Sequence, residues 1–240
     1  MNLSSYYLTF AKNIYSQCGE DGILEELFKD LNIVGGVIVE FGGWDGVFLS
    51  NALNLWKTGS FDVISIEANA DRSNEAKSIF EKHDDYKTIN RTVENLDDIL
   101  DECSIDCSSV SLISIDVDGA DRTILKAIEK YLPKVIVVET NTKPKGEPPH
   151  DDLSIALYYA LAKDKGYTVV CHTGNAILVR NDLVDYLPDE DYSLDNIEVY
   201  DEDVNRLQCL DSHGVLGSEI YWISAEYNEL ISETKKELLE

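Results

Sequence analysis

Val39-Glu40-Phe41-Gly42-Gly43-Trp44-Asp45-Gly46 runs from an apolar stretch into a glycine-rich turn, and the rest of the chain is read outward from it. The β-branched run at 37–39 leads to a carboxylate, the glycines allow a sharp reversal, and a helix is predicted to begin near Val47. A strand that feeds a glycine turn and then a helix opens a βαβ unit. The spacing departs from the G-x-G-x-x-G fingerprint of dinucleotide sites. Trp44 and Asp45 also put bulk and negative charge where a pyrophosphate would sit, which counts against NAD and nucleotides.

Further along, the runs at 112–115 and 135–138 are short and rich in β-branched residues, the pattern of parallel strands buried on both faces. Residues 63–66 and 86–90 fit as further strands. The amphipathic stretches between them predict crossover helices over 69–81, 94–103, 121–131 and 151–165, the last closed by Gly166. Connections of this length force right-handed crossovers. Ahead of the first strand, Ile23, Leu24, Leu27, Phe28 and Leu31 recur at helical spacing and predict a leading helix. Past Gly166, the apolar stretches 167–171 and 176–179 are separated only by His172, Thr173, Gly174 and Asn175. That gap is too short for a parallel crossover and suits a hairpin. The expected fold class is α/β: a doubly wound, Rossmann-like, seven-stranded, mostly parallel sheet with a terminal antiparallel hairpin. Residues 1–180 are read as one domain that includes an N-terminal cap helix. Residues 181–240 are read as an acidic extension packed on the core or on a partner, with weak helical periodicity through Tyr221, Trp222, Tyr227, Leu230 and Ile231.

The chain has 240 residues, with 46 acids against 20 basic residues and a formal net charge of −26. Phosphate binding needs clustered Lys and Arg, so this balance argues against nucleic acid and against an anionic membrane surface. No apolar run approaches the roughly 20 residues needed to cross a bilayer. Residues 1–15 lack the basic segment, apolar stretch and cleavage site of a secretory signal. Cys18, Cys103, Cys107, Cys171 and Cys209 are odd in number and scattered, which does not suit a disulfide framework. A cytoplasmic protein without membrane insertion is expected. Cys103 and Cys107 have no second ligand pair at zinc spacing and are read as packing on one helix face.

Glu40, Glu67, Asp116 and Glu139 each follow an apolar run at its carboxyl edge, where open α/β sheets bind ligands. Such a rim repels a polyphosphate. It suits a sulfonium or ammonium charge carried beside a ribose diol, because carboxylates accept from both kinds of donor. S-adenosylmethionine combines these features. Glu67, about twenty residues past the glycine turn, is placed to accept both ribose hydroxyls. Asp45 could equally cap the helix expected after it, and Asp118 and Asp121 the helix beginning near Gly119. Gln17, Glu20 and Asp21 read either as cofactor contacts or as first-turn residues favoured by the helix dipole.

Tyr15-Ser16-Gln17-Cys18-Gly19-Glu20-Asp21-Gly22-Ile23-Leu24, the glycine turn with Ser50-Asn51, and Ile115-Asp116-Val117-Asp118-Gly119-Ala120-Asp121 together resemble FkbM-like methyltransferases. These are class I enzymes dependent on S-adenosylmethionine, and the resemblance covers about residues 15–180. Cys18 stands where Asn is usual and Gly43 where Ala is. The resemblance implies O-methylation of a hydroxyl, often on a sugar in a polysaccharide, glycolipid or related metabolite, with the segment around Gln17 covering the cofactor. The acceptor would be a small molecule or glycan, and a homo-oligomer is compatible with the sequence. The cofactor residues expected are Gln17, Glu40, Gly42, Gly43, Asp45, Gly46, Asn51, Glu67 and Asp116.

Transfer to an alcohol requires alignment of donor and acceptor and removal of a proton. Asp116, His150 and His172 are the candidate bases. Asp116, Glu139 and Asn141 offer hard oxygen ligands that could hold a divalent ion such as magnesium. Alternatively, Asp116 and Glu139 orient the cofactor amino group and the acceptor hydroxyls. An NAD-linked oxidoreductase and a non-catalytic cofactor-binding subunit of a larger assembly stand as rival classes.

Overall fold

The apolar runs become strands throughout the computed structural model, which describes residues 5–92, 95–140, 155–193 and 225–240. The strands are β1 (Gly35–Phe41), β2 (Ser60–Glu67), β3 (Tyr86–Asn90), β4 (Val110–Ile115), β5 (Val135–Glu139), β6 (Tyr167–His172) and β7 (Asn175–Arg180). They form one seven-stranded sheet in the order β3-β2-β1-β4-β5-β7-β6. Strands β1 to β5 pair in parallel, whereas β7 lies antiparallel to both β5 and β6. This is the doubly wound α/β sheet with a terminal hairpin that the sequence predicts, the class I methyltransferase arrangement. The strand order reverses between β1 and β4, which lie side by side inside the sheet.

The helices are α1 (Ser5–Leu8), α2 (Glu20–Asp30), α3 (Leu53–Thr58), α4 (Ala70–Ile79), α5 (Leu96–Glu102), α6 (Asp121–Ala127), α7 (Ile155–Lys165) and α8 (Ala225–Leu239). Period-two alternation in the strands divides their side chains between two cores. Ile38, Val63, Leu112 and Val137 join Leu24 and Leu27 of α2, Leu53 of α3 and Tyr227 of α8. Val39, Ile64, Ile113 and Val138 join Leu100 of α5, Leu125 of α6 and Tyr158 of α7. Among the described residues no helix is long and apolar enough to cross a membrane.

Three expectations need correction. The helix expected near Val47 begins only at Leu53, because side-chain acceptors hold the intervening amides. Asp45 Oδ1 accepts from Val47 and Phe48, and Glu40 Oε1 from Asn51 and Ala52. The helix expected over 121–131 stops at Ala127, since Ile128 turns extended and the carboxylate of Asp97 takes the amides of Glu129, Lys130 and Tyr131. Cys103 caps the end of α5 while Cys107 opens a short 3-10 turn, so they do not share a helix face. Residues 151–154 of the predicted 151–165 helix, together with Tyr221 and Trp222, lie outside the described residues. Tyr227 and Ile231 are buried on α8.

The N-terminal loop is fastened to α2 by two acids of its first turn. Asp21 Oδ2 accepts from the amides of Ile14, Tyr15 and Ser16 at 2.7, 2.6 and 2.8 Å. Glu20 accepts from the amide of Cys18 and from Thr173 Oγ1 and Asn175 Nδ2 of the hairpin. Gly22 lets this loop lie against the helix: a Cβ there would strike the carbonyl oxygen of Phe10 and sit 2.8 Å from Lys12 Cβ. Gly→Ala inside a helix ordinarily gains roughly 0.5–1 kcal/mol. At Gly22 the sign should reverse, with Gly22→Ala losing about 2 kcal/mol or more in urea unfolding because the backbone itself must move.

Candidate functional site

A cleft of about 590 Å³ opens at the carboxyl ends of β1, β2, β4 and β5, within the size range of small-molecule sites. Its walls are the glycine turn after β1, the Gln17 loop and the segment 116–120 after β4. Gln17, Glu40, Gly42, Gly43, Asn51, Glu67, Asp116 and Glu139 all line it.

Glu40 is 3% exposed and anchors the wall. One oxygen accepts from Ser50 Oγ at 2.8 Å and the other from the amides of Asn51 and Ala52 at 2.7 and 3.2 Å. Burial pushes its carboxyl up to about 7, against the lowering effect of those hydrogen bonds, and the charge of Asp116 adds to the rise. Asn51, so held, donates its side-chain amide to Ser114 Oγ of β4. Glu67 accepts from the amide of Trp44 through Oε2 at 3.0 Å and from that of Asn69 through Oε1 at 2.6 Å. Each carboxylate oxygen has two lone-pair directions, so the pair that remains can meet a vicinal diol in the cleft.

Two of the glycines are required by packing. A Cβ at Gly42, which has φ 71°, would collide with the carbonyl oxygen of Asp116, so this glycine lets the ends of β1 and β4 close together. Gly46 does not line the cleft; a Cβ there would lie 2.6 Å from the Phe80 ring and 2.8 Å from the Tyr86 hydroxyl. Asp45 is 2% exposed and also faces away. Its Oδ1 holds Val47 and Phe48, and its Oδ2 is ion-paired with Lys235 at 2.6 Å. The amide contacts of Asp45 are those of the capping role that the sequence also offered for it.

One carboxylate oxygen from each of Asp116, Asp118 and Glu139 lies within 4.8 Å of the others. Like charges brought this close disfavour one another, and a cation between them relieves the cost. Asp118 emerges only from the structure; its left-handed backbone, φ 56° beside Gly119, turns it toward the cleft. Asp121 instead reaches back to the amides of Val117 and Gly119 at 2.8 Å each, holding the loop that carries Asp116 and Asp118. Trp44 is likewise in the left-handed region at φ 49°, with the Arg72 guanidinium 4.4 Å from its ring centroid. His172 is fully buried, its Nε2 sits 2.6 Å from Thr140 Oγ1, and it does not line the cleft. His150 and Asn141 lie outside the described residues.

The pH dependence of stability follows from Glu40. Its folded value of about 7 lies above the ordinary 4.5, so its contribution is complete below pH 4.5 and is lost as pH rises through 7. Asp21, pushed by burial up to about 6 from 3.8, acts in the same direction over a lower window. In Glu40→Gln the amide can still accept from Asn51 and Ala52. Its unfolding free energy should fall less between pH 5 and 8 than that of the unaltered protein, by on the order of 2 kcal/mol in urea titrations.

The family model of the methyltransferase FkbM domain matches residues 48–169, which is 122 of the 240 residues. No curated protein matches the chain. Among solved structures, the chain is similar to an S-adenosylmethionine-dependent methyltransferase from Aquifex aeolicus, at 14% identity over 65% of this chain and 86% of that one, with a TM-score of 0.41. It is also similar to the CMeT domain of citrinin polyketide synthase, at 14% identity over 68% of this chain and 51% of that one, with a TM-score of 0.46. For the CurJ carbon methyltransferase the identity is 11% over 69% and 55% of the two chains, with a TM-score of 0.48. With each TM-score below 0.5, the fold rests on strand order and register. On the extent of the family match, the chain belongs to the FkbM methyltransferase domain family of S-adenosylmethionine-dependent methyltransferases.

Proposed function

We propose that the chain O-methylates a hydroxyl of a small molecule or glycan. The observation that carries this reading is the crowding of Asp116, Asp118 and Glu139 at the mouth of a cleft that also holds Glu67. S-adenosylmethionine supplies an activated methyl on a sulfonium together with a ribose diol and an ammonium group. Glu67 would accept from the ribose hydroxyls, and Gln17 and Asn51, which line the same cleft, would hold the rest of the molecule. The acceptor hydroxyl approaches from the side of Asp116. The bound cofactor would supply the methyl group on its sulfonium sulfur, and Asp116 would accept the hydroxyl proton as that methyl leaves sulfur for the hydroxyl oxygen. Glu139 and Asp118 orient the hydroxyl and compensate the positive charge of the donor. A divalent ion such as magnesium held by Asp116 and Glu139 is the alternative to this hydrogen-bonding role. The odd number and scatter of the five cysteines fit a cytoplasmic site of action.

Transfer of labelled methyl from the cofactor to a panel of sugars and small alcohols tests the reading. The product should be an alkali-stable methyl ether, and methylation of nitrogen or carbon would contradict it. Asp116→Asn should lower kcat by about 10²–10⁴-fold with cofactor affinity within a few-fold, and Glu67→Ala should weaken cofactor binding by about tenfold or more. Turnover that survives exhaustive chelation supports Asp116 and Glu139 as hydrogen-bond acceptors. Loss restored by added magnesium supports the ion.

A further inference from the structure

Helix α8 lies outside the segment that the family model matches, yet it holds two of the three segments that wall the cleft. The Tyr227 side chain is fully buried. Its hydroxyl donates to the carbonyl oxygen of Tyr15 at 2.6 Å and accepts from the amide of Leu49 at 2.9 Å. Tyr15 is two residues before Gln17, and Leu49 is itself in the cleft wall beside Ser50 and Asn51. Leu49 has φ 57°, a left-handed conformation that a leucine adopts only where its surroundings impose it. The Tyr227 ring also meets Phe48 edge to face at 5.9 Å. Two turns further along α8, Lys235 pairs with Asp45 at 2.6 Å and with Glu75 at 2.8 Å. Asp45 in turn holds the amides of Val47 and Phe48, so the glycine loop is fastened to α8 at two points.

We propose that Tyr227 is a positioning residue for the cofactor, setting through one hydroxyl the separation of the Gln17 loop and the Leu49 turn. A hydroxyl can donate and accept at once, and that double capacity is what the site uses. This role rests on the cofactor reading above. It also gives the C-terminal segment an intramolecular task in place of docking on a partner.

Tyr227→Phe keeps the ring and removes the clamp. In isothermal titration with S-adenosylmethionine, it should bind at least fivefold more weakly than the unaltered protein while its circular dichroism remains that of a folded chain. Glu237→Gln serves as control, because it breaks only the pair with Lys57, and its affinity should not change. A lowered Tm with undiminished affinity in Tyr227→Phe would overturn the proposal by reducing the hydroxyl to a structural role. If the unaltered protein itself fails to bind, the cofactor reading falls and this one with it. Should Tyr227→Phe not fold, hydrogen exchange of the unaltered protein decides. S-adenosylhomocysteine should slow exchange together in 13–18, 44–52 and 225–231, and protection confined to 44–52 would overturn the clamp.

Discussion

The buried carboxylate of Glu40 is the tie on which the ligand-binding edge of the sheet depends. It sits near the end of β1, beside the point where the strand order reverses, and collects a hydroxyl and two backbone amides from residues 50–52. Those bonds fix Asn51 against Ser114 and so join the wall of the cleft to β4. The same device recurs around the site. Asp21 gathers three amides of the N-terminal loop, Asp45 two of the glycine loop, and Asp121 two of the loop after β4. A charge-assisted bond from a backbone N–H to a carboxylate is stronger than one between neutral groups, so irregular backbone is held without helix or strand.

This device gives part of the chain's acidity a structural meaning. Glu20, Asp21, Glu40, Asp45 and Asp121 are all buried, and each is used as an acceptor for the backbone. Asp116, Asp118 and Glu139 are the acids left facing the cleft mouth, where a cationic ligand lowers their mutual repulsion. Asp45 needs a counter-charge because it is buried, and Lys235 supplies it from a helix far along the chain.

The sheet was legible in the sequence because its signal is local. β-branched runs mark β1, β4 and β5, and the short gap after His172 admits only a hairpin. The strand-end acids Glu40, Glu67, Asp116 and Glu139 were legible for the same reason, since topology alone puts strand ends on one edge. What escaped was set by distant partners. Asp45 read as a possible cap, but no residue near Val47 announces that Glu40 will take the amides of Asn51 and Ala52. Gly42 and Gly46 read as cofactor contacts; in the structure a Cβ at Gly42 would meet Asp116, and one at Gly46 would meet Phe80 and Tyr86. His172 read as a loop base, but it ends β6 and turns into the protein against Thr140. Tyr227 sits 212 residues from the carbonyl it binds, a separation at which periodicity carries no information.

On the proposed reading, the edge formed by β1, β2, β4 and β5 holds the cofactor with its ribose on Glu67 and its sulfur toward Asp116. A crystal structure of the complex with S-adenosylhomocysteine measures this directly. The account predicts both ribose hydroxyls within hydrogen-bonding distance of the Glu67 carboxylate and the sulfur facing the trio of Asp116, Asp118 and Glu139. A ligand seated elsewhere, or one whose ribose makes no contact with Glu67, would contradict it.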